Sequence, residues 1–342
     1  MIEVLAKWKA EGKWNGEFVP VESEHSVLSA AIASQATGAR TFTASSSQGL
    51  MLMHEMHYVA SGMRMPLVMA NCSRGLSAPI TLWSDHNDIM ALRNSGWIML
   101  FAKNNQEVLD SIILSFRIAE HSKVLLPAIV NMDGFILSFT REPTEVPEQK
   151  QVDLFLPPYK PVTSLDANRP ISMGVPVMEG YMKFRSQVHK AHLNALQLMP
   201  KIFSEFNKRF GRKYAVVEKY KTQDADIVYV ALGAMCTTLQ AVVDSLRKKK
   251  VKAGLLQLRC LRPLPKKEIS QALGNCKAVA VISNSLAPGA GGILYPEIKS
   301  VVPEKNVFDF IVSLGGEHIS KKNLEGIGKA ALKKKPGQFW ML

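Results

Sequence analysis

Glu22-Ser23-Glu24-His25 sets two carboxylates beside an imidazole. A carboxylate held out of bulk water can exchange a proton with a ring nitrogen. The same acids also suit a helix N-terminus, whose partial positive charge attracts them. A second candidate, Thr43-Ala44-Ser45-Ser46-Ser47-Gln48-Gly49-Leu50, is a hydroxyl-rich turn without bulky side chains. It lacks the lysine and the glycines of a phosphate loop. No serine in it is flanked by glycine on both sides, as a nucleophile elbow requires. Ser46, Ser47 and Gln48 fit a neutral hydrogen-bonding wall for a heterocycle, and equally a plain turn. The third is Arg74, within Asn71-Cys72-Ser73-Arg74-Gly75-Leu76-Ser77-Ala78-Pro79. A guanidinium among small neighbours can grip a carboxylate through two parallel hydrogen bonds. It could instead form a structural ion pair with Asp85 or Asp88.

Other motifs carry less. Ser84-Asp85-His86-Asn87-Asp88 lacks the remaining ligands of a calcium loop and reads as a helix cap. Ala287-Pro288-Gly289-Ala290-Gly291-Gly292 does not have the spacing of a dinucleotide loop, and reads as a turn that lets a helix pack closely. Cys72, Cys236, Cys260 and Cys276 are too scattered for a local zinc or iron–sulfur site. Buried free thiols in a reducing compartment are expected.

These residues need elements to position them. A helix is expected over 1–12, a short strand over Phe18-Val19-Pro20-Val21 and a helix over 26–36. Arg40-Thr41-Phe42-Thr43 is a strand running into the serine turn, and a Met-rich helix follows to Ser61. Further strands are expected at 66–70, 97–101 and 124–130, with a helix over 105–120. Strands alternating with helices argue for an α/β fold with a parallel sheet. Ligands in such sheets sit at the carboxyl ends of strands, which singles out the turns after Val21, Thr43, Ala70 and Val130. Between 142 and 180 the chain is a proline-rich connection that includes Pro143, Pro157, Pro158 and Pro176. A helical stretch over 182–210 leads to a second unit, with strands at 227–233, 251–258 and 278–282 and a helix at 237–249.

The 342 residues fit about two domains of about 150 residues each, and the 47% hydrophobic composition excludes a disordered chain. No apolar run reaches the roughly 18 residues of a membrane helix. The opening residues do not read as a signal peptide, so no membrane association and a cytoplasmic location are expected. The net charge of +13 is uneven: residues 1–160 hold 13 basic against 16 acidic side chains, and residues 161–342 hold 29 against 13. Solvated helix faces, an acidic partner or an anionic ligand would each account for the excess. No nucleic-acid recognition motif accompanies it.

Taken together, these motifs resemble those of the 2-oxoacid:ferredoxin oxidoreductase family. The resemblance rests on Val21–Ser26, Thr41–Leu50 and Asn71–Asp88. It extends through Asn104–Val108, Asp133–Ser138, Phe155–Tyr159, Phe210–Tyr214 and Leu261–Pro265. It implies a thiamine-diphosphate-binding (pyrimidine-type) parallel-sheet domain over 1–160 and a connecting segment over 161–221. A transketolase C-terminal-like α/β domain over 222–342 is implied to follow. It also implies oxidative decarboxylation of a 2-oxoacid with coenzyme A, with electrons passing to ferredoxin. Leu76-Ser77-Ala78-Pro79 and Asp133-Gly134-Phe135 look more like the pyruvate branch than the branched-chain one. Glu24 matches the glutamate that bonds the aminopyrimidine, and Arg74 the arginine that faces the substrate carboxylate. Ser46, Ser47 and Gln48 fall in the cofactor-facing turn. Magnesium and the iron–sulfur clusters are expected on beta-, gamma- and delta-type partner subunits. Relatives usually begin with a further strand and a Tyr-Pro-Ile-Thr-Pro loop, so by resemblance the first domain is incomplete; the alternatives are action on another 2-oxoacid, 2-oxoisovalerate or 2-oxoglutarate, or a non-catalytic assembly role. Asn284-Ser285-Leu286-Ala287 departs from the charged residues of relatives.

Overall fold

Short apolar runs that are buried on both faces are the mark of a covered parallel sheet, and this chain is built around such runs. The computed structural model describes residues 2–13, 18–174, 179–333 and 335–341, so Pro176 and Lys334 lie outside the described residues. In chain order the strands are β1 (Phe42–Ser45), β2 (Val68–Ser73), β3 (Ile98–Phe101), β4 (Ala128–Asp133), β5 (Val217–Tyr220), β6 (Ile227–Ala231) and β7 (Ala253–Leu258). They continue as β8 (Cys260–Arg262), β9 (Ala278–Ser283), β10 (Leu286–Ala287), β11 (Gly291–Gly292), β12 (Asn306–Ile311) and β13 (Gln338–Trp340).

One sheet has the order β1-β2-β4-β3-β8, the other β13-β12-β9-β6-β7-β5. The pairings are parallel except at one edge of each, where β8 runs against β3 and β5 against β7. Alternate residues enter different cores. Val68, Ile98, Leu100 and Val130 pack beneath the Asn105–Ala119 and Tyr181–Phe210 helices. Met69, Met99 and Ile129 join Val228, Val230 and Leu256 of the second sheet in one continuous cluster. A third cluster backs the second sheet through Tyr229, Leu239 and Phe308.

Several expected boundaries move. Phe18–Val21 forms no strand; Val19 is 74% exposed and has no ladder to join. The Met-rich helix is two, Ser47–Leu52 and His54–Gly62, broken at Met53. The strand expected at 124–130 starts only at Ala128, because Leu125 takes a left-handed φ of 46° in the preceding turn. The proline-rich connection contains a helix, Gln149–Phe155, and lies along the first unit, with Leu165 N donating to Ala36 O at 2.8 Å. Residues 287–291 form a tight β10–β11 hairpin.

The chain passes from the second sheet to the first at one residue, Arg259, between β7 and β8. Its side chain is fully buried. Nη2 donates to Glu107 Oε1 at 2.6 Å and to Glu218 Oε2 at 3.1 Å, and Nη1 donates to Ala215 O at 2.6 Å. The guanidinium lies over the Tyr214 ring, 4.7 Å from its centroid. Glu107 Oε2 also accepts from Lys103 N at 3.1 Å and Gln257 Nε2 at 3.2 Å. Burial raises the Glu218 carboxyl, but Lys103 and Arg259 outweigh it and hold the group below its usual range. Removing one partner of such a cluster strands a buried charge. Arg259→Met should therefore cost about 3–5 kcal/mol in urea denaturation, whereas Lys277→Met, at the exposed Lys277–Asp226 pair, should cost under about 1 kcal/mol. Equal losses would contradict the assignment.

Candidate functional site

The helix that follows the acidic turn spans Glu24–Ala36, capped by an extended Ser23 whose Oγ accepts from Ser26 N at 3.4 Å. Ser26 Oγ donates to Glu22, and that bond holds the Glu22 carboxyl below its ordinary value. Capping is thus done by Ser23 and Glu22. Glu24 has no hydrogen-bond or ion-pair partner among the described residues, and it is exposed. Its carboxylate lies against Gly49: a Cβ there would sit 2.8 Å from Glu24 Oε1 and equally close to Ser45 Oγ. Glycine at that position is what admits the acid.

The serine turn leaves the carboxyl end of β1. Ser47 is fully buried with a left-handed φ of 50°, a conformation that a non-glycine residue holds only under tertiary constraint. Ser47 N donates to Asp88 Oδ2 at 3.0 Å, and Ser47 Oγ donates to Gly75 O at 2.8 Å. Gln48 Nε2 donates to Ser77 Oγ at 2.5 Å. Ser46 caps the short helix without a side-chain bond.

Asp88 connects the pieces. Besides Ser47 N, its Oδ2 accepts from Arg74 N and from Asn71 Nδ2, both at 3.3 Å, and its Oδ1 accepts from Ile89 N at 2.6 Å. Burial pushes its carboxyl up to about 6, against the four N–H donors that favour the charged form. Arg74 follows β2 directly. Its backbone is held by Asp88, but its guanidinium makes no ion pair with Asp85 or Asp88 among the described residues, and Nε is buried without a partner. Cys72 is half-buried, and burial raises its thiol, which keeps it protonated at neutral pH.

Asp133 closes β4 at the same edge. It accepts from His86 Nε2, from Ala234 N and, at 3.4 Å, from Ser84 Oγ. Burial works against a charged His86, but Asp133, Asp88 and Asp85 outweigh it and hold the imidazole above its ordinary value. Ala234 N precedes the Met235–Lys248 helix, so this pair joins the two units. Gly233 permits the approach, since a Cβ there would lie 2.5 Å from Asp133 Oδ2. His86 N donates to Asn284 O at 2.8 Å, Leu286 N to Asn87 Oδ1 at 2.8 Å and Gly315 N to Asp85 Oδ2 at 3.0 Å. A cleft of about 550 Å³ opens there, lined by Gly75, Thr81, Asp85, Leu286 and Leu314.

The sequence singles out Glu24, the serine turn and Arg74 as candidates. The structure links the turn to the Arg74 loop through Asp88 and sets Glu24 on Gly49. Asp88, His86, Asp133 and Gly233 were missed as a set. The one available signal was an acid, Asp133, ending an apolar strand at the carboxyl edge. Beside the site, Trp83 and Phe135 stand 3.8 Å apart and Phe135 stacks on Phe139 at 5.0 Å. Ile80, Leu82 and Phe139 are 78%, 64% and 75% exposed. Among the described residues no group of three or more His, Cys, Asp or Glu could hold a metal. Among the described residues no helix is long and apolar enough to cross a membrane.

Residues 1–204 match the family profile described as pyruvate flavodoxin/ferredoxin oxidoreductase, thiamine diphosphate-binding, and residues 225–324 match pyruvate:ferredoxin oxidoreductase core domain II. The chain belongs to the pyruvate:ferredoxin oxidoreductase family. Among relatives in this family it is 44% identical to the pyruvate synthase subunit PorA of Methanothermobacter thermautotrophicus, over 95% of this chain and 85% of that one. It is 41% identical to the PorA of Thermotoga maritima, over 95% and 84%. The ketoisovalerate oxidoreductase subunit VorA of Pyrococcus horikoshii is 38% identical, over 96% and 85%. The solved 2-oxoglutarate:ferredoxin oxidoreductase from Magnetococcus marinus shares the fold, with a TM-score of 0.66 at 16% identity. That likeness covers 97% of this chain and 60% of the solved one. A split-gene transketolase superposes with a TM-score of 0.50 at 11% identity, over 92% and 83%.

Within this candidate site Asp88 sets a pH dependence. Its ordinary value of 3.8 applies unfolded and about 6 applies folded, so between these the folded chain keeps a proton that the unfolded chain has lost. Stability should fall as pH rises through that window, by on the order of 3 kcal/mol in all. Asp88→Asn removes this dependence but turns an amide N–H₂ toward N–H donors. The variant should be less stable than the parent, by a margin that narrows from about pH 4 to about pH 6 in urea denaturation. A constant margin would refute the assignment.

Proposed function

We propose that this chain is the alpha-type subunit of a pyruvate:ferredoxin oxidoreductase. In that reaction pyruvate is oxidatively decarboxylated with coenzyme A to acetyl-CoA and carbon dioxide, and two electrons leave to ferredoxin. The observation that carries the reading is the buried Arg74 Nε without a partner, at the carboxyl end of β2. An unsatisfied guanidinium donor is costly unless a ligand completes it. A 2-oxoacid carboxylate has the matching fork.

The residues fit thiamine diphosphate at its pyrimidine end. Glu24 offers an unpaired carboxylate on a surface that only glycine at position 49 leaves open. Ser46, Ser47 and Gln48 would supply neutral hydrogen bonds around the ring. When bound, the cofactor supplies the electron sink for loss of carbon dioxide. Glu24 holds a proton between its carboxylate oxygen and a pyrimidine nitrogen, which fixes the ring's tautomer. Arg74 orients the substrate carboxylate, and the Asp88 bonds hold both loops in register.

We assign the diphosphate and its magnesium to a beta-type subunit, and the iron–sulfur relay to gamma- and delta-type subunits. Support comes from the relatives, which are named as subunits, and from the exposed Trp83–Phe135–Phe139 surface beside the site. Coenzyme A is bound in the Magnetococcus marinus enzyme and is the acyl acceptor in our reading. On this reading residues 1–160 are the pyrimidine-binding unit, 161–221 the connection and 222–342 the C-terminal-like unit, with β5 of the connection joining the second sheet and β8 of the last segment joining the first. The VorA relatives favour 2-oxoisovalerate as the second substrate reading.

Co-expression with the neighbouring subunits should give pyruvate- and coenzyme A-dependent reduction of a viologen dye. Glu24→Gln should lower turnover by about 100-fold or more with assembly intact; full activity would exclude the proposed role. Arg74→Ala should raise the KM for the 2-oxoacid by about 10- to 100-fold, the worth of a charge-assisted pair, and an unchanged KM would exclude the carboxylate contact. A faster rate with 2-oxoisovalerate than with pyruvate would select the second reading.

A further inference from the structure

The Tyr181–Phe210 helix, the turn at 93–96 that enters β3 and the 262–267 segment after β8 enclose a cleft of about 690 Å³. The cleft lies at the amino end of β3, whereas Arg74 and the serine turn leave the carboxyl ends of β2 and β1. Its lining carries Arg93, Arg185, Arg262, Lys266 and Lys267, together with His189 and His192, and no carboxylate among the described residues. Only part of this charge is balanced. Glu297 Oε1 accepts from Arg262 Nη2 at 2.5 Å and lies 3.9 Å from Arg93 Nε, so one acid serves two guanidinium groups. The side chains of Arg185, Lys266 and Lys267 have no hydrogen-bond or ion-pair partner among the described residues.

Lys266 and Lys267 open the Lys266–Leu273 helix, where the helix field is already positive. Acids usually occupy such a turn; here Glu268 is its only one, and its buried Oε2 has no partner. Deeper in, His192 Nε2 donates to Gly96 O at 3.0 Å, which leaves Nδ1 a buried bare acceptor. Burial, then the nearby Arg262, His189 and Arg64, press this imidazole down to about 4 against that one bond, so it adds no charge at neutral pH. Apart from Asn94 and Gly96, the remaining wall is apolar: Val188, Leu193, Leu196, Pro263 and Leu264.

A cationic rim over an apolar wall suits an anion carried on an apolar body, and the volume is that of a small-molecule site. Several free cations, including a guanidinium, suit a group of more than one negative charge. We propose that this cleft binds a phosphate-bearing small molecule of the nucleotide class, at a site separate from the Glu24–Arg74 site. It gives part of the basic excess of residues 161–342 a specific use, and it does not depend on which 2-oxoacid is turned over.

The test is calorimetric titration of the full chain with ADP, inorganic pyrophosphate and adenosine. ADP should bind saturably, pyrophosphate should displace it, and adenosine should not bind. Raised salt should weaken ADP binding. Arg185→Gln with Lys267→Gln should weaken ADP at least tenfold while circular dichroism and melting stay as in the parent, since neither side chain has a structural partner. No saturable ADP binding, or binding indifferent to the two substitutions, overturns the proposal. Binding of a poly-glutamate peptide but not ADP would assign the cleft to an acidic protein segment and overturn it too. Displacement of ADP by coenzyme A would make the cleft part of the acyl-transfer reaction and overturn its separateness. Loss of viologen reduction in Glu24→Gln leaves this outcome untouched, so the two readings fail independently.

Discussion

The structure depends on one buried charge at a crossing point. Arg259 stands where the chain leaves the second sheet for the first, and a guanidinium sealed from water needs all its neighbours arranged around it. Glu107 from the first unit and Glu218 from the second sheet meet on the same nitrogen. The ion cluster therefore fixes the position of the Asn105–Ala119 helix against β5 and β7. With the sheets so fixed, Asp133 can reach the N–H of Ala234, and the loops after β9 and β12 can close on residues 85–87.

The candidate site repeats this pattern with a single acid. Loops after two different strands and a helix N-terminus must hold their places without covering the surface they shape. Asp88 does this from beneath, taking N–H groups from Ser47, Arg74 and Asn71, so that the outer faces of the loops stay clear. Burial raises the pKa of this carboxylate against the N–H groups it holds, which couples the geometry of the site to pH. The free groups above it, the Glu24 carboxylate and the Arg74 guanidinium, are those that no described residue of this chain satisfies.

Much of the first sheet was legible, because parallel strands buried on both faces read as apolar runs whatever their partners. The alternation of strands and helices and the carboxyl-edge turns after β1, β2 and β4 followed from that, whereas Glu24 and Arg74 were singled out by residue type and resemblance. Phe18–Val21 misled, since a short apolar run carries no information about whether a neighbouring strand exists. β8 escaped notice because three residues have no period, and its pairing with β3 spans some 160 positions of sequence. The freedom of Glu24 was hidden for a local reason: only coordinates show that Ser23 and Glu22 do the capping. Asp88 was hidden for a distant one, since its partners lie 14, 17 and 41 residues away.

The crossing at Arg259 also changes what the proline-rich connection does. In a protein of two beads on a string, that segment alone would keep the halves together. Here the third pass of the chain stitches β8 into the first sheet, so cleavage anywhere in 142–174 would leave two fragments still interlaced through a shared strand edge. The connection is a strap rather than a tether, because the β3–β8 pairing already joins the two units.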